Sequence, residues 1–138
     1  MIQDAHPLRS GVPDGYEALY RIEVTAGSSS WLVNVDRLPS GFSGAGVAGN
    51  ERQVRTGVGL GTITFPPGTK VRGAVGCYSC PNNTLANQRQ VFVTDIDEAA
   101  GNAKLVLATP AGAAGDPADP TASANDSWIF VKLSLETV

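Results

Sequence analysis

Residues 20–36 read YRIEVTAGSSSWLVNVD, and this stretch decides the fold class. Apolar residues alternate with polar ones in its first half and again after the run of glycine and serine; these positions are Tyr20, Ile22, Val24, Ala26, Trp31, Val33 and Val35. Period-two alternation is typical of strands with one buried face, and a short gap of small residues between two such strands favours an antiparallel hairpin. The stretch therefore predicts two paired, half-buried strands.

The same period continues along the rest of the chain. It recurs at 54–64, 71–77, 91–96, 104–109 and 127–135, with glycine and proline turns between the segments. Within 54–64, every second residue from 57 to 61 is a glycine. This pattern indicates a strand that is bent by a bulge or closely approached by another part of the backbone. No segment has convincing helical periodicity, so parallel βαβ folds are excluded. Seven or eight strands at this spacing predict an all-β, antiparallel β-sandwich.

A length of 138 residues suits one domain. Residues 1–15 are rich in proline and glycine with few apolar anchors, so they are predicted to form an irregular N-terminal arm. Residues 16–138 are predicted to form a single β-sandwich domain with two long loops. The loop at 38–50 has Phe42 as its large anchor, and the loop at 110–125 has no large apolar side chain and is expected to be exposed or mobile.

Charge and cysteine content limit the possible partners and compartments. Ten basic and 13 acidic residues give a net charge of -3, which excludes the basic surface that nonspecific nucleic-acid or anionic-membrane binding needs. The first residues lack the basic start and apolar run of a secretory signal, and no apolar stretch is long enough to span a membrane. Cys77 and Cys80 are only three positions apart, so they cannot form a disulfide framework that spans the domain. A reducing, cytoplasm-like compartment is therefore expected.

The glycine-rich motifs of the first loop lack the surroundings that their chemistry requires. GAGVAG at 44–49 matches a dinucleotide fingerprint, but the next segment reads as a strand, and no acidic residue lies between Glu51 and Asp95. GFSG at 41–44 has Ala45 where a nucleophile elbow has its second glycine. Both motifs are therefore interpreted as flexible loop.

His6 and one acidic cluster are the candidates for a metal or catalytic site. His6 is the only histidine and lies in the arm, where a preorganised catalytic base is not expected, and with two cysteines it falls short of four zinc ligands. Asp95, Asp97 and Glu98 lack the spacing of a calcium loop and suit a hairpin turn. No metal, cofactor or enzymatic activity is therefore predicted.

Cys77-Tyr78-Ser79-Cys80 is a C-x-x-C motif that ends a strand. Thiol exchange in redox proteins uses a helix N-terminus to stabilise the first thiolate, and none is predicted here. Small buried residues or a local disulfide are the structural interpretations of this motif. Redox catalysis is the one enzymatic alternative.

These features together resemble the jelly-roll cement (decoration) proteins of tailed-bacteriophage capsids over residues 16–138. The resemblance rests on the irregular arm, the number of strands, the two loops rich in glycine and alanine, and the absence of a recognisable set of catalytic residues. The closing run Trp128-Ile129-Phe130-Val131-Lys132-Leu133-Ser134-Leu135 also looks like the last strand of tumour-necrosis-factor and complement-like jelly rolls, which are trimers.

The resemblance implies a non-enzymatic virion protein on the outer capsid surface, assembled in the host cytoplasm. Its implied partners are the major capsid protein and further copies of itself, as a homodimer or a homotrimer, with no direct nucleic acid or membrane contact. Open strand edges are expected to help such a domain associate. The residues predicted to contact a partner lie in the arm, the first loop and the strand after it: Ile2, His6, Leu8, Arg9, Leu38, Phe42, Arg52 and Arg55.

Two alternatives stay open at this stage. Arg52 and Arg55 suit desolvated contacts with proteins, and they equally suit a solvated strand face. A carbohydrate- or receptor-binding β-sandwich of a tail fibre is the rival function, and it requires exposed aromatic side chains. Phe42 and Tyr78 are its candidates, because the other aromatics fall in strands where the core can take them.

Overall fold

The computed structural model describes residues 15–25, 30–45, 51–80, 88–109, 117–120 and 127–136. Within these ranges the chain forms one 3₁₀ turn, Val35–Arg37, and eight β-strands. The strands are β1 Gly15–Thr25, β2 Ser30–Val33, β3 Arg55–Gly57, β4 Leu60–Thr64, β5 Lys70–Ser79, β6 Gln90–Asp97, β7 Asn102–Ala108 and β8 Ser127–Glu136. The all-β prediction is confirmed. No helix in the described ranges is long and apolar enough to cross a membrane.

The strands form two four-stranded sheets. The first sheet has the order β2-β1-β8-β5 and the second β3-β4-β7-β6, and the strand pairs are antiparallel. This confirms the antiparallel β-sandwich. The jelly-roll part of the expectation is not confirmed, because the β1–β2, β3–β4 and β6–β7 hairpins each stay within one sheet.

The core lies between the sheets and is built from the inward parity of the strands. Side chains that are at most 2% exposed come from β1, β2, β4, β7 and β8 and include Tyr20, Ile22, Val24, Trp31, Val33, Ile63, Leu105, Leu107, Ile129, Val131, Leu133 and Leu135. Fully burying one such aliphatic side chain stabilises the fold by roughly 1.5–3 kcal/mol. The alternation that predicted the strands therefore also predicted which residues are buried.

Residues 54–64 form a hairpin, so the prediction of one continuous strand there is wrong. A turn at Val58 and Gly59 separates β3 from β4, and Gly59 has a φ of +66°, which side-chain-bearing residues rarely adopt. A Cβ at Gly59 would overlap the backbone nitrogen of Ala118. The predicted close approach of another backbone is therefore confirmed, with residues 117–120 as that backbone.

The sheets meet along both long sides of the sandwich. On one side, the Val33 N–H donates to the Arg52 carbonyl and the Val54 N–H to the Trp31 carbonyl, both at 2.8 Å. On the other side, β5 approaches β6 so closely that a Cβ at Gly76 would lie 2.5 Å from Val91 Cγ1. On the first side, the edge of β2 is therefore hydrogen-bonded within the domain. Association of strand edges with another copy stays a prediction.

The structure describes parts of the two predicted loops, and the predicted arm lies almost wholly outside the described residues. Strand β1 already begins at Gly15, and residues 1–14 lie outside the described residues. In the first loop, Ser43 pairs with Thr64 through backbone hydrogen bonds of 3.1 and 3.0 Å. In the second, the Ala118 N–H donates to the Leu107 carbonyl at 2.8 Å. Residues 117–120 are thus held against the sheet, with Pro117 exposed and Pro120 buried.

Candidate functional site on the outer sheet faces

The outward face of the second sheet has an apolar row across three strands. Val106 of β7 is directly opposite Leu60 of β4 on one side and Phe92 of β6 on the other. Leu60 is 40% exposed and Phe92 is 48% exposed. Outward residues of a solvated antiparallel sheet are normally polar, so three adjacent apolar side chains there need an explanation. We refer to Leu60, Val106 and Phe92 as the apolar row.

One pair of opposite charges lies beside the apolar row. The next row consists of Thr62, Lys104 and Thr94, in which Lys104 Nζ lies 3.4 Å from the Asp95 carboxylate. Leu60, Val106, these threonines and the Lys104–Asp95 pair border a depression of about 420 Å³. Depletion of charge at the centre with a polar rim is typical of protein–protein interfaces. The second sheet therefore offers a surface suited to another protein.

The outward face of the first sheet has an aromatic pair on β8. The rings of Trp128 and Phe130 are stacked, with centroids 6.2 Å apart and planes at 19°. Glu23 of β1 is opposite Trp128, and Arg21 is opposite Phe130. Beside Trp128 lies a hollow of about 310 Å³, which we call the aromatic hollow. Its polar lining comes from Arg21, Glu23, Asn34, Asp36 and Arg52.

The charges of the aromatic hollow are balanced in sign, and three of them have no side-chain partner among the described residues. In the described part of the chain, the side chains of Arg21, Glu23 and Asp36 make no ion pair or side-chain hydrogen bond. Elsewhere on the same sheet face, Lys132 Nζ lies 3.2 Å from Glu17 Oε2. Arg21 and Glu23 are half-buried, so their hydrogen-bonding groups are presented towards the hollow with reduced exposure to water.

A polar cluster at the end of the second sheet has a structural role. Asp119 accepts hydrogen bonds from Arg55 and from the Gly59 N–H, the latter at 2.9 Å. Arg89 donates to the Asp119 carbonyl at 3.1 and 2.7 Å. The hydrogen bond and charge of Asp119 raise the pKa of Arg55 above its ordinary value. Arg55 is thus used inside the domain, and the interpretation as a solvated arginine is corrected.

The cysteine motif ends β5 without a disulfide. Cys77 is exposed and Cys80 is half-buried, and both thiols are free. The interpretation of both as buried small residues is therefore wrong for Cys77. The nearby Tyr78 hydroxyl lies 3.0 Å from Ser127 Oγ, and burial raises the pKa of Tyr78. Tyr78 is thus half-buried, and its hydroxyl is hydrogen-bonded.

The acidic cluster forms the β6–β7 turn, as predicted. Asp97 Oδ1 accepts from the Ala100 N–H at 3.0 Å, and Glu98 Oε2 accepts from the Val71 N–H at 2.6 Å. Among the described residues there is no group of three His, Cys, Asp or Glu side chains placed to hold a metal ion.

The predicted partner residues are not brought together. Ile2, His6, Leu8 and Arg9 lie outside the described residues. Leu38 is half-buried and packs on the core. Phe42 is 5% exposed and packs against the rings of Tyr16 and Tyr20, so it presents no free face to a partner or a sugar. Arg52 is exposed and lines the aromatic hollow.

Sequence reasoning missed the outward aromatics. Trp128 and Phe130 alternate with the buried Ile129 and Val131, and because both sets are apolar, the alternation alone does not tell which set faces outward. Phe92 has the same relation to its neighbours Val91 and Val93, which pack on the core.

Comparisons of this chain with protein-family models, with curated proteins and with solved structures find no match. The functional conclusion therefore depends on the two outer faces.

Proposed function

We propose that this protein is a non-enzymatic capsid cement protein that binds neighbouring major capsid subunits through the apolar row. The observation that carries this proposal is the placement of Leu60, Val106 and Phe92 side by side on an outward sheet face. Exposed apolar patches of this kind mark interaction sites in soluble domains. The capsid partner itself is inferred from the resemblance to decoration proteins.

The hydrophobic effect supplies a physical reason for this docking mode. Covering the exposed parts of Leu60 and Phe92 would gain roughly 25 cal/mol for each Å² of apolar surface removed from water. The threonines around the row would let a partner approach without desolvating isolated charges. Lys104 and Asp95 border the same depression, and because they are paired, a partner that covers the row meets two opposite charges there and no isolated one.

One side of the sandwich is closed by backbone hydrogen bonds, which bears on how copies would associate. The hydrogen bonds from Val33 and Val54 join the two sheets there, so we expect a homodimer or homotrimer to form through sheet faces. We accordingly propose a protein on the outer capsid surface, assembled in the host cytoplasm, that contacts capsid subunits and copies of itself through faces of the sandwich.

Sedimentation of particles tests the proposal. The tagged chain, produced in its native host, is expected to sediment with capsid-sized particles at a fixed ratio to the major capsid protein. Phe92→Asp should abolish this association, because it replaces the most exposed side chain of the apolar row with a charge. Val75→Asp is the matched control, since Val75 is 58% exposed on the opposite sheet face. Recovery of the wild-type chain only in the soluble fraction, or unchanged association of Phe92→Asp, would overturn the proposal.

A further inference from the structure

The aromatic hollow combines features of a small-ligand site that the capsid-docking proposal does not use. It lies on the first sheet, on the face opposite to the apolar row. Its volume of about 310 Å³ is at the lower end of small-molecule pockets, which span roughly 300–1,000 Å³. A ligand with one or two six-membered rings fits this size.

The indole of Trp128 is held in place before any ligand arrives. Its stack with Phe130, two residues along the same strand, restricts the rotation of both rings. A fixed aromatic side chain binds with a smaller entropic cost than a mobile one. Apolar ring faces of this kind suit ligands that are flat and apolar on one side and polar at their edges.

The polar lining selects among such ligands. Arg21 supplies hydrogen-bond donors, and the Glu23 and Asp36 carboxylates supply acceptors, with none of the three engaged within the described residues. Arg52 and Asn34 complete the lining, so that two cationic and two anionic side chains surround the hollow. The two carboxylates would repel an anionic ligand, and the two arginines would repel a cationic one. A neutral ligand with several hydroxyl groups can hydrogen-bond to both the arginines and the carboxylates.

We propose that the aromatic hollow beside Trp128 is a binding site for a neutral saccharide. The sugar ring packs on the indole, and its hydroxyl groups accept from Arg21 and donate to Glu23 and Asp36. This site is independent of the capsid-docking proposal, because it uses other residues on the other sheet.

Saturation-transfer NMR with neutral methyl glycosides tests the proposal directly. The probes are the methyl glycosides of glucose, galactose, mannose and N-acetylgalactosamine at millimolar concentration, with methyl glucuronide as a charged comparison. We expect transfer to the ring protons of at least one neutral sugar and weaker transfer to the glucuronide. Absence of transfer to all four neutral probes, or preference for the glucuronide, would overturn the proposal.

Variants locate the binding on the first sheet. Trp128→Ala should weaken binding about tenfold, the equivalent of one lost aromatic contact. Glu23→Gln keeps the shape of the side chain and should weaken binding several-fold, which keeps the test decisive if Trp128→Ala does not fold. Phe92→Ala, on the opposite face, is the control and should bind as wild type. Equal binding by Glu23→Gln and wild type, together with loss in Phe92→Ala, would place the sugar elsewhere and contradict the assignment.

Discussion

Arg55 and Asp119 form a forked ion pair across 64 residues of sequence. The guanidinium Nη2 lies 2.7 Å from Asp119 Oδ2, and Nε lies 3.1 Å from Oδ1. The same carboxylate accepts the Gly59 N–H at 2.9 Å. Asp119 therefore fastens the segment 117–120 to the β3–β4 hairpin.

Asp119→Ala is expected to lower the free energy of unfolding by about 2 kcal/mol, because it removes hydrogen bonds to a charged group that is largely shielded from water. Urea denaturation measures this difference. Glu136→Gln is the control, since the Arg72–Glu136 pair is 45% and 44% exposed and should contribute little. If both variants cost the same, the ion pair does not fasten the segment.

Gly59→Ala should cost about 2 kcal/mol or more. The positive φ disfavours alanine, and the new methyl group would meet the Ala118 backbone. Gly73→Ala is the matched control, because no atom lies within 4 Å of a Cβ there and its φ lies outside the left-handed region. Its stability should stay within about 0.5 kcal/mol of wild type. Thermal denaturation of both variants distinguishes this local clash from a general cost of losing glycine.

Stability is expected to fall as the pH rises above about 10, where tyrosine ionises in the unfolded chain. Tyr20 is fully buried and its hydroxyl donates to the Thr64 carbonyl at 2.8 Å, and burial raises the pKa of Tyr20 above its ordinary value. The folded state therefore keeps the proton that the unfolded state loses, so its stability is complete below pH 10 and declines at higher pH.

Tyr20→Phe should reduce this alkaline loss while costing about 1–2 kcal/mol at neutral pH, where the hydrogen bond is lost. Unfolding experiments between neutral pH and pH 11 measure both effects. Tyr16→Phe, at a partly exposed ring, should keep the wild-type pH profile. An alkaline decline as steep in Tyr20→Phe as in wild type would contradict the assignment.

Alkylation should modify Cys77 before Cys80, because Cys77 is exposed and Cys80 is half-buried, and no disulfide joins them. Timed iodoacetamide treatment followed by peptide mass spectrometry gives the order. The double variant Cys77→Ser, Cys80→Ser should sediment with particles as wild type does. Loss of function in that variant would instead favour a redox role.

Deleting residues 1–14 should leave a folded domain and weaken partner binding. Strand β1 begins at Gly15, and the core of the described residues starts at Ala18. Denaturation and particle sedimentation of the truncated chain measure the two properties separately. Unchanged sedimentation would show that the arm takes no part in binding.

The fold class and the core could be predicted from the sequence because burial on one face imposes a two-residue period. Tyr20, Ile22 and Val24 alternate with polar residues, and all three are at most 1% exposed. The strand order could not be predicted. Strand β8 pairs with β1 on one side and with β5 on the other, although these strands are far apart in the sequence. No local sequence pattern encodes which distant strands pair.

The outward-facing apolar residues could not be predicted from the sequence for a related reason. Around Phe92 and around Trp128 both parities are apolar, so period two does not tell the inward face from the outward one. The prediction for Phe42 had the opposite error. Its position between glycines suggested an exposed loop residue, but its ring is buried in the core beside Tyr20.

The back-to-back arrangement of the two sheets has a consequence for any assembly that includes this domain. Packed sheets are about 10 Å apart, so the outward faces point in opposite directions from one thin, rigid slab. A shell covering Leu60 and Phe92 would leave Trp128 turned towards the surrounding medium. The domain would then act as a two-sided adaptor, anchored by one surface and displaying the other at the particle's exterior.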